Sequence, residues 1–172
     1  MAPKLRWFLG AILVAVGLDQ ATKAWARHAL RPIFPSVVNV IPSCFDLRYS
    51  ENPGAAFGLF RGLPGARYLM LPVGIGALVI IINVLYQARP EARRLAVELG
   101  LLAGGALGNF IDRLRFGHVT DFVVWRIGIH EWPTFNIADA ALVLGVVGLL
   151  LDREFARKRA DAPDPPQKKS QP

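Results

Sequence analysis

The chain has 172 residues, 53% of them hydrophobic and only 19% charged, with a mean hydropathy of +0.35. That length suits one domain, and the composition is too apolar for an average water-soluble one. The net charge of +7 does not indicate nucleic acid, because the Lys and Arg residues are gathered into short stretches. Lys4 and Arg6 precede the first apolar run, and Arg89, Arg93 and Arg94 fill one connector. Arg153, Arg157, Lys158, Arg159, Lys168 and Lys169 lie in the C-terminal tail. Basic clusters beside apolar runs are cytoplasmic anchors of membrane spans. The single cysteine, Cys44, excludes an internal disulfide and a thiolate metal cluster.

Residues 7–26 form an apolar run behind two basic residues, as in a signal peptide. No small-x-small cleavage site follows cleanly, and "LDQATKAWARHAL" continues the helix, so this is expected to be an uncleaved first span. Asp19 and Lys23 lie one turn apart on its outer half, spaced as a neutralising pair. Residues 27–67 are too long for a mere connector. Within them "SVVNVI" and "FDLRYS", separated by "PSC", predict a small antiparallel sheet at the outer membrane–water interface. The turn-rich "ENPGAAFG" follows, and Gly54, Gly58, Gly62 and Gly65 suggest hinges in a loop that closes over substrate.

Residues 68–88 are uncharged and long enough to cross about 30 Å of hydrocarbon, which makes them the most secure span. A third span over 95–111 contains Gly100, Gly104 and Gly108 at four-residue spacing, a pattern that lets helices approach closely. No strand precedes these glycines and no P-loop Lys-Ser/Thr follows, so they are packing residues rather than a phosphate loop. The span ends in "GNFIDRL", with Asn109, Asp112 and Arg113 on one face, and Asp112–Arg113 is expected as an interfacial ion pair. Asp121 falls in a short outer loop. A fourth span over 132–151 opens with Asn136 and Asp139, and 152–172 is expected to be a basic, Pro-rich, disordered cytoplasmic tail. The fold class expected is therefore mainly α and integral to the membrane. Residues 1–151 make one domain of four transmembrane helices, both termini are cytoplasmic, and the sheet and loop lie at the outer surface.

This topology collects Asp19, Lys23, Asn109, Asp112, Arg113, Asp121, Asn136 and Asp139 near the outer interface. Structural roles exist for most of them: two ion pairs, an Asn136 N-cap, and an Asp139 charge at a helix N-terminus. Asp121 and Asp139 still lack basic partners. Two close carboxyls share a proton, so one can activate water while the other polarises a carbonyl. Asn52, Asn109, Asn136 and Arg113 are suitable neighbours for a substrate backbone. Competing chemistries are weaker. "HEWPT" has Thr134 where a zinc protease needs its second His, and Pro133 breaks the helix. A metal on His118, Asp121 and His130, or a Ser50–Lys23 dyad, lacks a supporting motif. A small proton-coupled transporter using Asp19 and Asp139 would favour midplane polar groups and internal repeats, and no repeat is present.

The motifs "DQATKAW", "ENPGAAFGLF", "GGALGNFIDRLRFGHVTDFV" and "WPTFNIADAAL", in this order and spacing, resemble the lipoprotein signal peptidases (signal peptidase II), bacterial membrane aspartic proteases. The resemblance implies Asp121 and Asp139 as the catalytic pair. It implies Asn52 and Gly54 in substrate handling, with Asp19, Lys23, Asn109, Asp112, Arg113 and Asn136 around the site. The implied substrate is a diacylglyceryl-modified prolipoprotein cut immediately before its lipidated cysteine, with globomycin-type peptides as inhibitors. The resemblance places the enzyme in the bacterial inner membrane, in contact with lipid. No metal or organic cofactor is expected, nor nucleic acid, and a monomer is the expectation.

Overall fold

The computed structural model of the chain describes residues 2–54 and 66–160. Gly58, Gly62 and Gly65 of the expected hinge loop and residues 161–172 of the expected tail lie outside the described residues. Four long helices are present: α1 Pro3–Ala29, α2 Ala66–Gln87, α3 Arg93–Phe116 and α4 Ile137–Ala160. Four strands, β1 Val38–Ile41, β2 Phe45–Asn52, β3 Val119–Ile127 and β4 His130–Glu131, form one antiparallel sheet in chain order.

Helix α3 is central, packing against α1, α2 and α4. Its small residues make this possible. An added Cβ at Gly104 would lie 2.7 Å from the Ala15 Cβ of α1, and one at Gly105 would meet the Ala138 carbonyl of α4. One at Gly108 would overlap the Asp19 carboxylate. The expected packing role of the glycine stripe is what the helices use it for. Phe8, Ile81, Leu85, Ala96, Leu99 and Ala103 join α1, α2 and α3 in one core cluster. At the same end the Lys4 ammonium donates to the Leu85 and Tyr86 carbonyls at 2.8 and 3.1 Å, satisfying acceptors that the end of α2 leaves open. Outward-facing residues such as Leu13 and Val14 are exposed, as an apolar solvent requires.

Among the described residues two helices, Pro3–Ile33 and α3, are long and apolar enough to cross a membrane. The apolar stretch described in α2, Pro72–Gln87, is shorter than that, although residues 68–88 are the strongest span by sequence.

Two differences from expectation concern α4 and the segment that carries Asp121. The fourth helix begins at Ile137 rather than at 132, and continues nine residues past 151. Pro133 removes a helical donor, and the Phe135 backbone is spent on Val123 in an isolated bridge, N–H to C=O at 3.0 and 2.9 Å in the two directions. The stretch containing Asp121 is not a loop. It is the nine-residue strand β3, which pairs with β2 and places Asp121 opposite Ser50.

Candidate active site

The site is built where α1, α3, β3 and the head of α4 meet. Asp19, Lys23, Asn109, Asp112, Asp121 and Asn136 are all buried there. The first layer is a charged network. Lys23 Nζ lies 2.9 Å from Asp19 Oδ2 and 3.8 Å from Asp112 Oδ2, and donates to Asn109 Oδ1 at 2.9 Å. The expected i,i+4 pair therefore forms, with a second carboxylate close by. Asp19 reaches further, since its Oδ1 accepts the Ala138 backbone N–H at 2.9 Å, one of the open donors in the first turn of α4. Gly108 leaves the room for this carboxylate, so the glycine and the acid form one contact.

Asp112 does not pair with Arg113, contrary to expectation. Neighbouring helix positions point in different directions, and Asp112 faces α1 and β3 instead. Its Oδ2 accepts the Thr120 backbone N–H at 2.9 Å, and its Oδ1 lies 3.4 Å from the Arg27 guanidinium. Arg27 also donates to Thr120 Oγ1 at 2.9 Å and covers the Phe116 ring at 4.5 Å. Arg27 and Thr120 were not among the expected site residues. The signal for Arg27 is its place one further turn along the Asp19–Lys23 face. Together these contacts fix the backbone immediately before Asp121.

The second layer consists of amides. Asn136 caps α4: its Oδ1 accepts the Asp139 backbone N–H at 3.0 Å, and Asp139 Oδ2 accepts the Asn136 N–H at 3.2 Å. This is the reciprocal capping arrangement, so the structural reading of the two residues holds. The cap does not exhaust them. Asn136 Nδ2 donates to Asp121 Oδ1 at 2.6 Å and to Asn109 Oδ1 at 3.2 Å, while Asn109 Nδ2 donates to Asp139 Oδ1 at 2.8 Å. From the other side Asn52 Nδ2 donates to Asp121 Oδ2 at 3.1 Å. Asn52 in turn accepts the Gly54 N–H at 3.0 Å, in a turn where Gly54 adopts φ +99°, a conformation natural only to glycine.

Burial, first, and the charge of Asp139, second, push the Asp121 carboxyl up to about 7, against the opposing pull of the Asn136 and Asn52 amides. Arg113 is turned away from Asp112. Its Nη1 donates to the Asn109 carbonyl at 3.3 Å, and its buried Nε has no hydrogen-bond partner among the described residues. The rival constellations do not assemble. Lys23 is fully enclosed by its acids and so unavailable to Ser50, and "HE" of "HEWPT" is the strand β4. His118 and His130 lie at opposite ends of the β3–β4 hairpin, and no group of three potential metal ligands is gathered among the described residues.

Residues 11–155 match the family model described as Signal peptidase (SPase) II. A lipoprotein signal peptidase of Beijerinckia indica is 39% identical over 166 residues, 96% of each chain. One from Xanthomonas campestris is 41% identical over 159 residues, covering 91% of this chain and 92% of its own. A solved bacterial membrane enzyme superposes with a TM-score of 0.75 at 30% identity, over 85% of this chain and 91% of the other. A second does so with a TM-score of 0.75 at 28% identity, over 92% and 93%. With a family match over most of its length, relatives near 40% identity and the fold of solved membrane enzymes, the chain belongs to the signal peptidase II family of membrane proteases.

Proposed function

We propose that Asp121 and Asp139 are the catalytic pair of an aspartic endopeptidase that removes the signal peptide from diacylglyceryl-modified prolipoproteins, cutting immediately before the lipidated cysteine. The observation that carries this reading is the single side chain of Asn136, which holds the Asp121 carboxylate and the Asp139 N–H at once. Asp121 is the more buried acid and keeps its proton up to about pH 7, so it serves as the donor to the scissile carbonyl. Asp139, held by the Asn109 amide and the Asn136 N–H, serves as the ionised base. It takes a proton from water, whose oxygen bonds to the carbonyl carbon. The C–N bond then breaks, the cysteine nitrogen leaves with a proton from the pair, and the water oxygen remains in the new carboxyl group. Asp19, Lys23, Asp112, Asn52 and Gly54 support this geometry, and Arg113 Nε is a donor for a substrate carbonyl.

In this reading all four helices cross the bacterial inner membrane, both termini are cytoplasmic and the site lies at the outer face. The basic residues near Lys4, at Arg89–Arg94 and beyond Arg153 support that orientation. The enzyme acts as a monomer in contact with lipid, and globomycin-type cyclic peptides compete for the site. The test is cleavage of a diacylglyceryl-modified prolipoprotein by the purified protein. Asp121→Asn and Asp139→Asn should each abolish turnover with the fold intact, and turnover retained by either variant overturns the pair. A C-terminal tag found outside the cell overturns the orientation.

A further inference from the structure

The ends of α3 and α4 remote from the site carry two acids, Glu98 and Asp152, that the network around Asp121 and Asp139 does not use. Glycines of α4 bring the two helices together there. An added Cβ at Gly145 would lie 2.9 Å from the Glu98 carbonyl oxygen. One at Gly148 would lie 2.8 Å from Glu98 Cγ and 3.1 Å from Glu98 Oε1. The Glu98 side chain is therefore laid against the bare backbone of Gly148. Asp152 stands one turn beyond Gly148 on the same face of α4, and its carboxyl is in hydrogen-bond contact with that of Glu98. Arg94 stands one turn before Glu98 on α3, and its Nη1 lies 3.6 Å from Asp152 Oδ1.

Glu98 Oε2 is enclosed, and among the described residues no donor reaches it. An enclosed carboxylate oxygen without a donor is costly, whereas the same oxygen carrying a proton is itself a donor. The group it meets is an acceptor, the Asp152 carboxyl, and two ionised carboxylates have no hydrogen to share. Arg94 decides which acid is ionised: it pairs with Asp152, which is partly exposed, and this leaves the proton on Glu98. Among the described residues no further charge acts on Glu98. The Lys4 ammonium of α1 is taken up by the Leu85 and Tyr86 carbonyls, and the α1 and α2 residues packed on this half of α3, Phe8, Ile81 and Leu85, are apolar. We propose that Glu98 is the protonated donor of a carboxyl–carboxylate hydrogen bond to Asp152, closed by Arg94, that clasps α3 to α4 at the end remote from the site. The three ionisable residues then form a cluster with no net charge at the edge of the hydrocarbon. Glu98 lies eleven residues before Asn109, about 16 Å along α3, so the clasp is separate from the carboxyl pair. It opens when its proton is lost, which makes the α3–α4 contact responsive to pH.

The test is infrared spectroscopy of the full chain in a maltoside detergent, which has no carbonyl of its own. A protonated carboxyl absorbs above the amide band, where an ionised one is silent. In mildly acidic buffer the wild type should show such absorption that Glu98→Gln lacks. Asp152→Asn should displace it, because the acceptor has changed. Asp121 is common to all three proteins and cancels in their differences. Identical wild-type and Glu98→Gln spectra overturn the proposal, and so does a Glu98 band that Asp152→Asn leaves in place. Thermal midpoints give a second readout. Glu98→Gln keeps a donor that cannot ionise, so its midpoint should match wild type within about a degree wherever the band is present. It should exceed wild type wherever rising pH has removed the band. Glu98→Ala, without a donor, should melt about 3 °C lower in the mildly acidic buffer. A Glu98→Gln offset that does not follow the band, or an Ala variant as stable as wild type, overturns the clasp. Neither readout depends on peptide cleavage, so failure here and failure of the protease reading are separate results.

Discussion

Asn136 donates its side-chain amide to Asp121 at 2.6 Å and accepts the Asp139 backbone N–H at 3.0 Å with the same group. One residue is both a helix cap and the link between a strand acid and a helix acid. Asn136→Ala should cost about 1 kcal/mol of stability through the lost cap. It should lower kcat by about a hundredfold or more, the scale for removing one preorganised donor. Asn136→Ser restores the cap but cannot span to Asp121, so it should recover stability and little of the activity. Thermal midpoints and kcat on a lipidated substrate, measured together, check this. Equal recovery of both contradicts the dual role.

Asp121 gives a pH prediction with a definite sign. Its carboxyl titrates at about 7 in the folded chain and near 3.9 in an unfolded one. The stability it confers by keeping its proton is full below about pH 4, falls as pH rises, and is gone above about pH 7. Asp121→Asn never ionises, so its thermal midpoint should gain on wild type across that interval and hold level above it. The wild-type protease should lose kcat as pH rises through the same upper value. A midpoint difference that stays flat across the interval contradicts the raised carboxyl.

Asp19 and Lys23 have no exposed surface, and each is the other's nearest counter-charge. Asp19→Ala or Lys23→Ala leaves an uncompensated buried charge and should destabilise by about 3–5 kcal/mol. The double variant Asp19→Leu/Lys23→Met should lose clearly less than the sum of the singles. Denaturation in detergent for all three variants reads the coupling, and additive losses contradict the pair.

Glycines in the helices separate into two kinds. Gly108→Ala drives a methyl group into the Asp19 carboxylate and to 3.2 Å from the Ala138 Cβ, and should cost about 1–3 kcal/mol. Gly17→Ala meets nothing within 4 Å and should raise stability by about 0.5–1 kcal/mol. Midpoints that move the same way in both variants contradict the close approach of α1 and α4 to α3.

Arg27 touches Thr120 and Asp112 but neither candidate acid. Arg27→Met should lower kcat about tenfold with KM nearly unchanged, since small displacements of a reacting group are costly. Arg27→Lys should restore part of it. A change confined to KM argues against a positioning role.

Much of this arrangement is written locally. Four-residue glycine spacing, the i,i+4 acid–base pair and the "FNIAD" capping sequence each act within a turn or two of helix, and each forms as its spacing indicates. Tertiary pairing decides the rest. "VTDFVVWRI" is buried on both sides for most of its length, so it lacks the alternation that marks a half-exposed strand, and its partner β2 lies some seventy residues earlier. Asp112 finds its partners on β3 and α1 rather than in Arg113, because adjacency in sequence is not adjacency on a helix. The late start of α4 follows from a bridge between Phe135 and Val123 that no local propensity encodes.

The intrahelical closure of the Asp19–Lys23 pair has a consequence for how the protein is made. Asn109, Asp112 and Ala138, which complete the network, are synthesised some eighty-five to one hundred and twenty residues after the Lys23 and Asp19 they contact. When the first helix enters the membrane, none of them exists. An aspartate and a lysine on successive turns of one face neutralise each other within that helix, so α1 can be inserted alone with its polar cargo masked. The later helices then receive a pair that is already formed, and assembly exchanges none of its charges with water.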